Sequence, residues 1–338
     1  MSVVSREYQL NNRPVGMPTA ADFSLVTREL PPVGAGQVRV KNQFLSVDPY
    51  MRGRMTDAKS YVAPFELNVA MGGGAVGRVE ESAHPDFPVG TFVLSFEGWR
   101  EGFVSNGDGL VKIDVSIAPP QAYLGTLGMP GLTAYVGLLD IGGLKDGDTV
   151  LVSGAAGAVG MVVCQIAKAR GCRVIGSVGT DEKGAWLKAN AGVDVAINYR
   201  TTPNLRKAVL AAAPDGIDVT FENVGGEHLE VALACSKPFG RVAVCGLISQ
   251  YNATEAGPGI RNVRDILTKR LTVRGFIVSD HGKRQPDFIK DMTGWIAGGK
   301  MKWTETIADG FEKMPEAFLG LFSGTNLGKM VVRVSSRG

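Results

Sequence analysis

The sequence predicts an α/β fold in two parts, a compact β-barrel or sandwich and a doubly wound parallel sheet. Over roughly the first 120 residues, short β-rich segments such as "QVRVKNQFLSV" and "GTFVLSF" alternate with glycine and proline, a pattern typical of barrels and sandwiches. From Thr149 onwards, near-continuous apolar strands alternate with amphipathic helices. That alternation indicates a parallel sheet covered by helices on both faces.

The parallel sheet is predicted to have six strands. Five of them alternate with helices, from "TVLVS" to "RVAVCG", and "LTVRGFIV" adds a sixth after the long segment 250–270. The chain ends in "KMVVRV", a strand of the first part's type. The two ends of the chain are therefore expected to rejoin, with residues 1–122 and 304–338 in one domain and residues 123–303 in the other.

Composition and charge exclude several classes of partner. The 36 basic and 33 acidic residues give a net charge of +3 and are mixed along the chain, so no nucleic-acid surface is expected. No window approaches the roughly 20 apolar residues of a membrane span, and the N-terminus is too polar for a signal peptide. The cysteines lie in apolar segments without C-x-x-C spacing, which favours a reducing compartment and predicts a cytoplasmic protein. They are Cys164, Cys172, Cys235 and Cys245.

A glycine-rich turn joins the first strand of the parallel sheet to its first helix. It reads Ala155-x-Gly157-x-x-Gly160, with alanine at the first position of the usual G-x-G-x-x-G motif. Gly157 would let the backbone approach a pyrophosphate, Gly160 would let the helix pack on the sheet, and the amides of Ala158 and Val159 would face the anion. The context of a βαβ unit predicts a dinucleotide site, whereas a purely structural turn is the alternative.

The end of the second strand indicates which dinucleotide is bound. A site for NAD places an acidic residue there to bind the ribose 2′-hydroxyl, but this strand ends in "SVGT". Asp181 follows slightly later, where we expect it to cap the next helix. Lys183 lies in the first turn of that helix and could bind a 2′-phosphate through a charge-assisted contact. This arrangement favours NADPH; the alternative is an ordinary surface lysine.

No metal site is predicted. The histidines His84, His228 and His281 are far apart, and the β-rich part has no cysteine, so the ligands that a catalytic zinc needs are missing. The remaining chemistry, a nicotinamide with hydroxyls and aromatic walls, suits hydride transfer to a small molecule that is already electrophilic.

Longer motifs follow one another along nearly the whole chain, among them "NRPVGMPTAADF", "LSVDPYMRGRM", "NYR", "FENVGG" and "CGLISQYN". Together they resemble the zinc-independent medium-chain dehydrogenases/reductases that reduce carbon–carbon double bonds next to a carbonyl group. This group includes leukotriene B4 dehydrogenase/prostaglandin reductases, plant double-bond reductases and bacterial NADPH-dependent curcumin reductases. The resemblance implies a Rossmann NADPH-binding domain, a GroES-like β-barrel catalytic domain, an enone or enal substrate and a homodimer.

The resemblance also implies which residues hold the cofactor. Gly157 to Gly160 would hold the pyrophosphate, and Lys183 with Tyr199 would bind the 2′-phosphate. Further residues would line the nucleotide and the nicotinamide, although several of them could equally be core or turn residues. They are Asn223, Cys245, Gly246, Leu247, Ile248, Ser249, Gln250, Tyr251, Phe276, Ile277, Val278 and Asn326.

The chemistry implied by the resemblance centres on Tyr251. Hydride is delivered to the substrate β-carbon, and the resulting enolate oxygen is stabilised by Tyr251 and by a ribose hydroxyl of the cofactor. Phenols have an ordinary pKa of about 10, so a tyrosine can donate a hydrogen bond to the enolate. Tyr50 and Tyr61 would form walls of the substrate pocket; ordinary packing is the alternative for either. A simple aromatic turn at Tyr251, quinone reduction on the same fold and a non-catalytic NADPH-binding protein remain as alternatives.

Overall fold

The computed structural model describes residues 3–334. The chain forms two compact units. The first unit comprises the chain up to Leu124, Glu305–Asn326 and the segment that starts at Met330. The second unit comprises Gly125–Thr304 and Leu327–Lys329.

Strands and helices follow the predicted change of rhythm along the chain. The strands are β1 (Val3–Leu10), β2 (Phe23–Leu30), β3 (Val38–Ser46), β4 (Ala75–Ser82), β5 (Phe92–Ser95), β6 (Gly102–Ser105), β7 (Val111–Lys112), β8 (Thr149–Val152), β9 (Arg173–Val178), β10 (Val195–Asn198), β11 (Ile217–Glu222), β12 (Ser236–Val244), β13 (Thr272–Gly275), β14 (Glu305–Asp309) and β15 (Lys329–Arg333). The α-helices are α1 (Tyr50–Arg54), α2 (Met129–Val136), α3 (Ala158–Ala169), α4 (Asp181–Asn190), α5 (Leu205–Ala212), α6 (Glu227–Cys235), α7 (Arg264–Thr268), α8 (Gln285–Ala297) and α9 (Met314–Ser323).

The first unit is built on β-structure. Strands β14-β15-β3-β4-β5-β7 form a sheet in that order, β6 pairs with β3, and β1 pairs with β2 in a separate ribbon. An aromatic cluster fills part of its core: Trp99 is fully buried and stacks on Phe23, with ring centroids 5.5 Å apart. Tyr8 and Phe318 meet the Trp99 ring edge-on. Large aromatic side chains supply much of the buried apolar area that stabilises such a unit.

The second unit contains the six-stranded parallel sheet that the sequence predicts. The strand order is β10-β9-β8-β11-β12-β13, which is the order of a Rossmann fold. The α/β fold class is therefore confirmed. The direction of winding reverses between β8 and β11, and ligands of such sheets bind outside the carboxyl ends of the strands at this switch point. Among residues 3–334, no helix combines the length and the apolar character needed to cross a bilayer.

Candidate functional site

The turn after β8 lies at the switch point and brings the backbone of α3 close to the sheet. Gly154 is the left-handed residue of the turn, with φ 58°. A Cβ added at Gly160 would lie 2.4 Å from the carbonyl oxygen of Gly154 and 2.8 Å from Cα of Ala155. Ala155 is fully buried, and its N–H donates to the Ser177 carbonyl at 3.0 Å. Only glycine at position 160 allows this close approach, while alanine is accommodated at position 155.

The start of α3 can receive an anion. Gly157 caps the helix with an extended backbone, and the helix continues for 12 residues. Gly157, Ala158 and Val159 are partly exposed, whereas Gly160 is buried. The first amides of a helix have no partner within the helix, and the helix dipole favours negative charge beside them. The backbone here therefore fits a pyrophosphate group.

We expect Gly160→Ala to destabilise the chain by about 1–3 kcal/mol, the usual cost of overpacking, and to weaken nucleotide binding. The added methyl would meet backbone atoms, which cannot rotate away as a side chain could. The matched control is Gly294→Ala in α8, where nothing in residues 3–334 lies within 4 Å of the added Cβ. Urea unfolding of both variants measures the difference. Equal stability of the two variants would contradict the close approach at Gly160.

The cap of α4 differs from the prediction. Thr180, not Asp181, is the N-cap: its backbone is extended and its side chain accepts a hydrogen bond from the Lys183 N–H. The expectation that Asp181 caps this helix is wrong, because Asp181 already has helical backbone at the first position of α4. Its carboxylate instead accepts from Asn198 Nδ2 at 2.9 Å. The cap fixes Lys183 in the first helical turn, as the sequence predicts.

Two cations and a phenol gather where β9 and β10 end. A Cβ added at Gly179 would lie 3.3 Å from Tyr199 Oη and 3.5 Å from Arg200 Nε. Burial, and then the nearby Arg200 guanidinium, lower the pKa of Lys183 below its usual value. Two cations that repel one another in this way form a site that a phosphate would stabilise.

Arg200 is not among the residues that the sequence predicts for the cofactor site. Arg200 directly follows Tyr199 in "NYR", so the motif that indicates Tyr199 also contains Arg200. What the sequence does not show is that the end of β10 lies near Lys183. This proximity arises because β10 and β9 pair in parallel, from Val195 opposite Ile175 to Asn198 opposite Val178.

The loops after β11 and β12 form a second cluster at the same sheet edge. Asn223 donates from its N–H to Ser153 Oγ at 2.8 Å and from Nδ2 to the Ser153 carbonyl at 2.7 Å. The loop after β12 is tied to it, because the Ile248 N–H donates to the Asn223 carbonyl at 3.2 Å and the Ser249 N–H to that of Val224 at 3.0 Å. Asn223 and the segment 245–251 are thus brought together.

Tyr251 folds back over its own loop. The Leu247 N–H donates to Tyr251 Oη at 3.3 Å. A Cβ added at Gly246 would lie 3.2 Å from that oxygen, so glycine leaves room for the phenol. A backbone N–H that points at a phenol oxygen stabilises negative charge there. The Cys245 thiol is by contrast a weak nucleophile, because burial, and then the Glu222 carboxylate, raise its pKa to about 12.

The other candidate cofactor residues lie further from these clusters along the chain. Phe276 meets Phe221 edge-on, with ring centroids 6.3 Å apart, and Ile277 and Val278 that follow it are partly exposed. Asn326 follows α9 in the first unit. Two residues beyond it, the Gly328 N–H donates to the Ala156 carbonyl at 2.8 Å, beside the glycine turn.

Tyr50 and Tyr61 belong to the first unit. Tyr50 opens α1, and burial, then the Asp48 carboxylate, raise the pKa of its phenol above the usual range. Tyr61 is close enough to contribute to the same rise, and its side chain is 60% exposed. Two aromatic side chains therefore lie near one another, one partly buried and the other at the surface.

The histidines do not form a metal centre. His84 packs edge-on against Phe87 in the first unit, and His228 and His281 lie in the second unit. Among residues 3–334, no three His, Cys, Asp or Glu side chains are grouped so that they could hold a metal ion.

Comparisons with known proteins cover both units. Residues 6–113 match a family described as the N-terminal domain of oxidoreductase, and residues 158–297 match one described as zinc-binding dehydrogenase. Prostaglandin reductase 1 of Rattus norvegicus is 46% identical over 335 residues, which are 98% of this chain and 99% of that protein. The NADPH-dependent curcumin reductase of Escherichia coli is 42% identical over 336 residues, which are 98% of this chain and 97% of that protein.

A solved structure shows the same similarity in three dimensions. The crystal structure of CurA from Vibrio vulnificus in complex with NADPH matches this chain with a TM-score of 0.92 and 43% sequence identity. The match covers 98% of this chain and 100% of the other. Both the sequence and the fold are therefore shared over almost the entire length.

Proposed function

Since this chain belongs to the zinc-independent medium-chain dehydrogenases/reductases, we propose that it reduces carbon–carbon double bonds of α,β-unsaturated ketones and aldehydes with NADPH. The relatives named for NADPH, prostaglandin and curcumin support this proposal. The reaction class is that of an oxidoreductase acting on CH–CH groups, in which the double bond, and not the carbonyl group, is reduced.

The observation that carries the choice of NADPH is the cationic cluster at the ends of β9 and β10. Tyr199 Oη and Arg200 Nε lie 3.3 and 3.5 Å from the position of a Cβ at Gly179, and Arg200 adds to the effect of burial in lowering the pKa of Lys183. The strand end beside them has no carboxylate that would bind a ribose 2′-hydroxyl. Such a carboxylate is the usual mark of an NAD site. The cluster instead suits the two negative charges of a 2′-phosphate.

Different residues of the chain would bind different parts of the nucleotide. The amides from Gly157 to Gly160 would hold the pyrophosphate, and Lys183, Tyr199 and Arg200 the 2′-phosphate. Asn223 and the segment 245–251, with Phe276 to Val278 and Asn326, would line the nicotinamide side. When bound, NADPH supplies a hydride. Tyr251 would then donate a hydrogen bond to the substrate oxygen as negative charge develops there, which is the type of stabilisation that speeds enolate formation.

The two units would have different roles in this reaction. We propose that residues 123–303 form the NADPH-binding domain and that residues 1–122 and 304–338 form the GroES-like substrate domain. Tyr50 and Tyr61 would form part of the wall around the enone or enal. Their aromatic rings offer apolar contact area, and burial of the Tyr50 phenol raises its pKa.

The decisive experiment is to follow NADPH consumption with a panel of enones, enals, simple quinones and saturated ketones, and to identify the products. We expect turnover of enones and enals to saturated carbonyl compounds. Preferred turnover of quinones would favour quinone reduction on the same fold. Tight NADPH binding without turnover of any substrate would favour a non-catalytic binding protein, and reduction of the carbonyl group would overturn the proposal.

We further propose that the chain is a homodimer and works in the cytoplasm, where its four free cysteines would stay reduced. Strand β13 is a candidate site of contact with a second copy of the chain. It lies at the edge of the parallel sheet, all four of its residues are exposed, and edge strands readily pair with other chains.

We expect Val273→Asp on β13 to convert the dimer into a monomer, because it would place a charge in the interface. Val111→Asp is the matched control, since Val111 is 57% exposed on β7 at the edge of the other sheet. Analytical ultracentrifugation measures the mass of each variant. A dimeric Val273→Asp protein would exclude β13 as the interface, and a monomeric wild type would exclude the dimer itself.

A further inference from the structure

A small cavity in the second unit is lined by polar side chains from three neighbouring strands, or from the residue that follows one, and from a helix. Ser153 follows β8, Ser177 lies in β9, Glu222 ends β11 and His228 lies in α6. Glu222 is fully buried, and the two serines are at most 2% exposed. The rest of the wall is apolar and is formed by Leu151, Leu205, Val209 and Val231.

One carboxylate oxygen of Glu222 holds the loop that contains Asn223. Oε1 accepts from Ser153 Oγ at 2.9 Å and from the N–H groups of Val224 and Gly225 at 2.7 Å each. Oε2 is buried and has no hydrogen-bond partner among residues 3–334. Buried polar atoms almost always have a partner, either in the protein or in an ordered water molecule. The unpartnered Oε2 therefore indicates that the cavity holds a polar group that can form a hydrogen bond with it.

The opposite side of the cavity leads to the cationic cluster. His228 Nε2 lies 2.8 Å from Ser177 Oγ, and the His228 ring meets the Tyr199 ring edge-on with centroids 5.0 Å apart. Burial lowers the pKa of His228 to about 4, so the ring is neutral near pH 7. His228 thus connects Ser177 with the phenol that we place at the 2′-phosphate.

The size of the cavity limits its occupant to a single small molecule. About 10 Å³ is open to the centre of a water molecule, which is close to the least space that holds one water. We propose that one water molecule in this cavity bonds to Glu222 Oε2 and to the Ser177–His228 pair, so that Glu222 and His228 act as positioning residues that couple the Asn223 loop to Tyr199. The effect on 2′-phosphate binding rests on the proposed NADPH function, whereas the water molecule itself does not depend on that function.

The structural half of the inference can be tested without any nucleotide. A high-resolution crystal structure of the nucleotide-free protein should contain one ordered water molecule within hydrogen-bonding distance of Glu222 Oε2. A cavity without density, or with Glu222 Oε2 bonded directly to a side chain, would overturn the water bridge. This result is independent of whether NADPH is the cofactor.

The coupling is tested by a double-mutant cycle with Glu222→Leu and His228→Leu. The readout is the Kd for adenosine 2′,5′-bisphosphate, which carries the 2′-phosphate but no nicotinamide. Each single variant should weaken binding by about fivefold, the value of one ordinary hydrogen bond, and the double variant should be little worse than either. Glu222→Gln should restore the wild-type Kd, because its amide keeps the acceptor at Oε1 and can bond to the water.

Two further variants separate positioning from general loss of stability. Val209→Ala enlarges the same cavity without touching a polar group, so we expect a lower Tm and an unchanged Kd. Ser177→Ala removes one hydroxyl and is the milder substitute should either leucine variant fail to fold. Effects of Glu222 and His228 that simply add would overturn the coupling. Failure of the wild type to bind the bisphosphate would instead contradict the proposed choice of NADPH.

Discussion

Replacing Lys183 with alanine is expected to raise the Kd for NADPH by roughly 10- to 100-fold, the value of one charge-assisted hydrogen bond, and to leave the Kd for NADH almost unchanged. The Thr180 cap fixes Lys183 in the first turn of α4, and the Arg200 guanidinium adds to the effect of burial in lowering the pKa of Lys183, as a neighbouring cation does. NADH lacks the 2′-phosphate that this pair would bind.

Quenching of protein fluorescence by each nucleotide measures both constants. Lys188→Ala is the matched control, because Lys188 is an exposed lysine in the last turn of the same helix and its loss should change neither Kd. An equal loss of affinity for both nucleotides in Lys183→Ala would show that Lys183 does not recognise the 2′-phosphate. The Lys183→Ala protein should also respond less to salt than the wild type, since one phosphate contact is gone.

Replacing Tyr251 with phenylalanine should lower kcat for an enone by about 100-fold, the usual effect of removing one hydrogen-bond donor to a developing oxyanion. The Kd for NADPH should change much less. The ring remains in place over Gly246, and only the hydroxyl that accepts from the Leu247 N–H is lost. Single-turnover measurements separate the chemical step from product release.

Tyr123→Phe provides the control for this prediction. The Tyr123 hydroxyl donates to the Asp114 carbonyl within the first unit, so its removal should leave turnover unchanged. A Tyr251→Phe enzyme that turns over at the wild-type rate would remove Tyr251 from the mechanism. A large rise in the Kd for NADPH would instead mean that Tyr251 holds the loop 245–251 in shape.

Much of the fold could be predicted because its signals are local. The glycine turn follows a strand and opens a helix, and the requirement for glycine at position 160 is visible as soon as that context is recognised. Lys183 could be found because it follows the second strand within one helical turn. The cap was misassigned for an equally local reason: Thr180 and Asp181 are both good capping residues, and only the backbone angles distinguish them.

The roles of Tyr251, Tyr50 and Tyr61 stay predictions, since they depend on a substrate and on chemistry. The sequence suggested them through resemblance alone. The structure adds that the Tyr251 oxygen accepts a hydrogen bond from the Leu247 N–H and that burial raises the pKa of the Tyr50 phenol, two properties compatible with these roles.

The sequence by itself determined the α/β class, the parallel sheet and the glycine turn, because each depends on residues within about one βαβ unit; phosphate binding by Lys183 stays a prediction. The tertiary structure alone decided which residues, distant in the sequence, meet at the strands of the parallel sheet. Arg200 reaches Lys183 only because β10 pairs with β9. Ser153, Ser177, Glu222 and His228 share a cavity only because β8, β9 and β11 are neighbours in the sheet. Strand order is set by packing between segments far apart in the chain, and that information is absent from any single stretch of sequence.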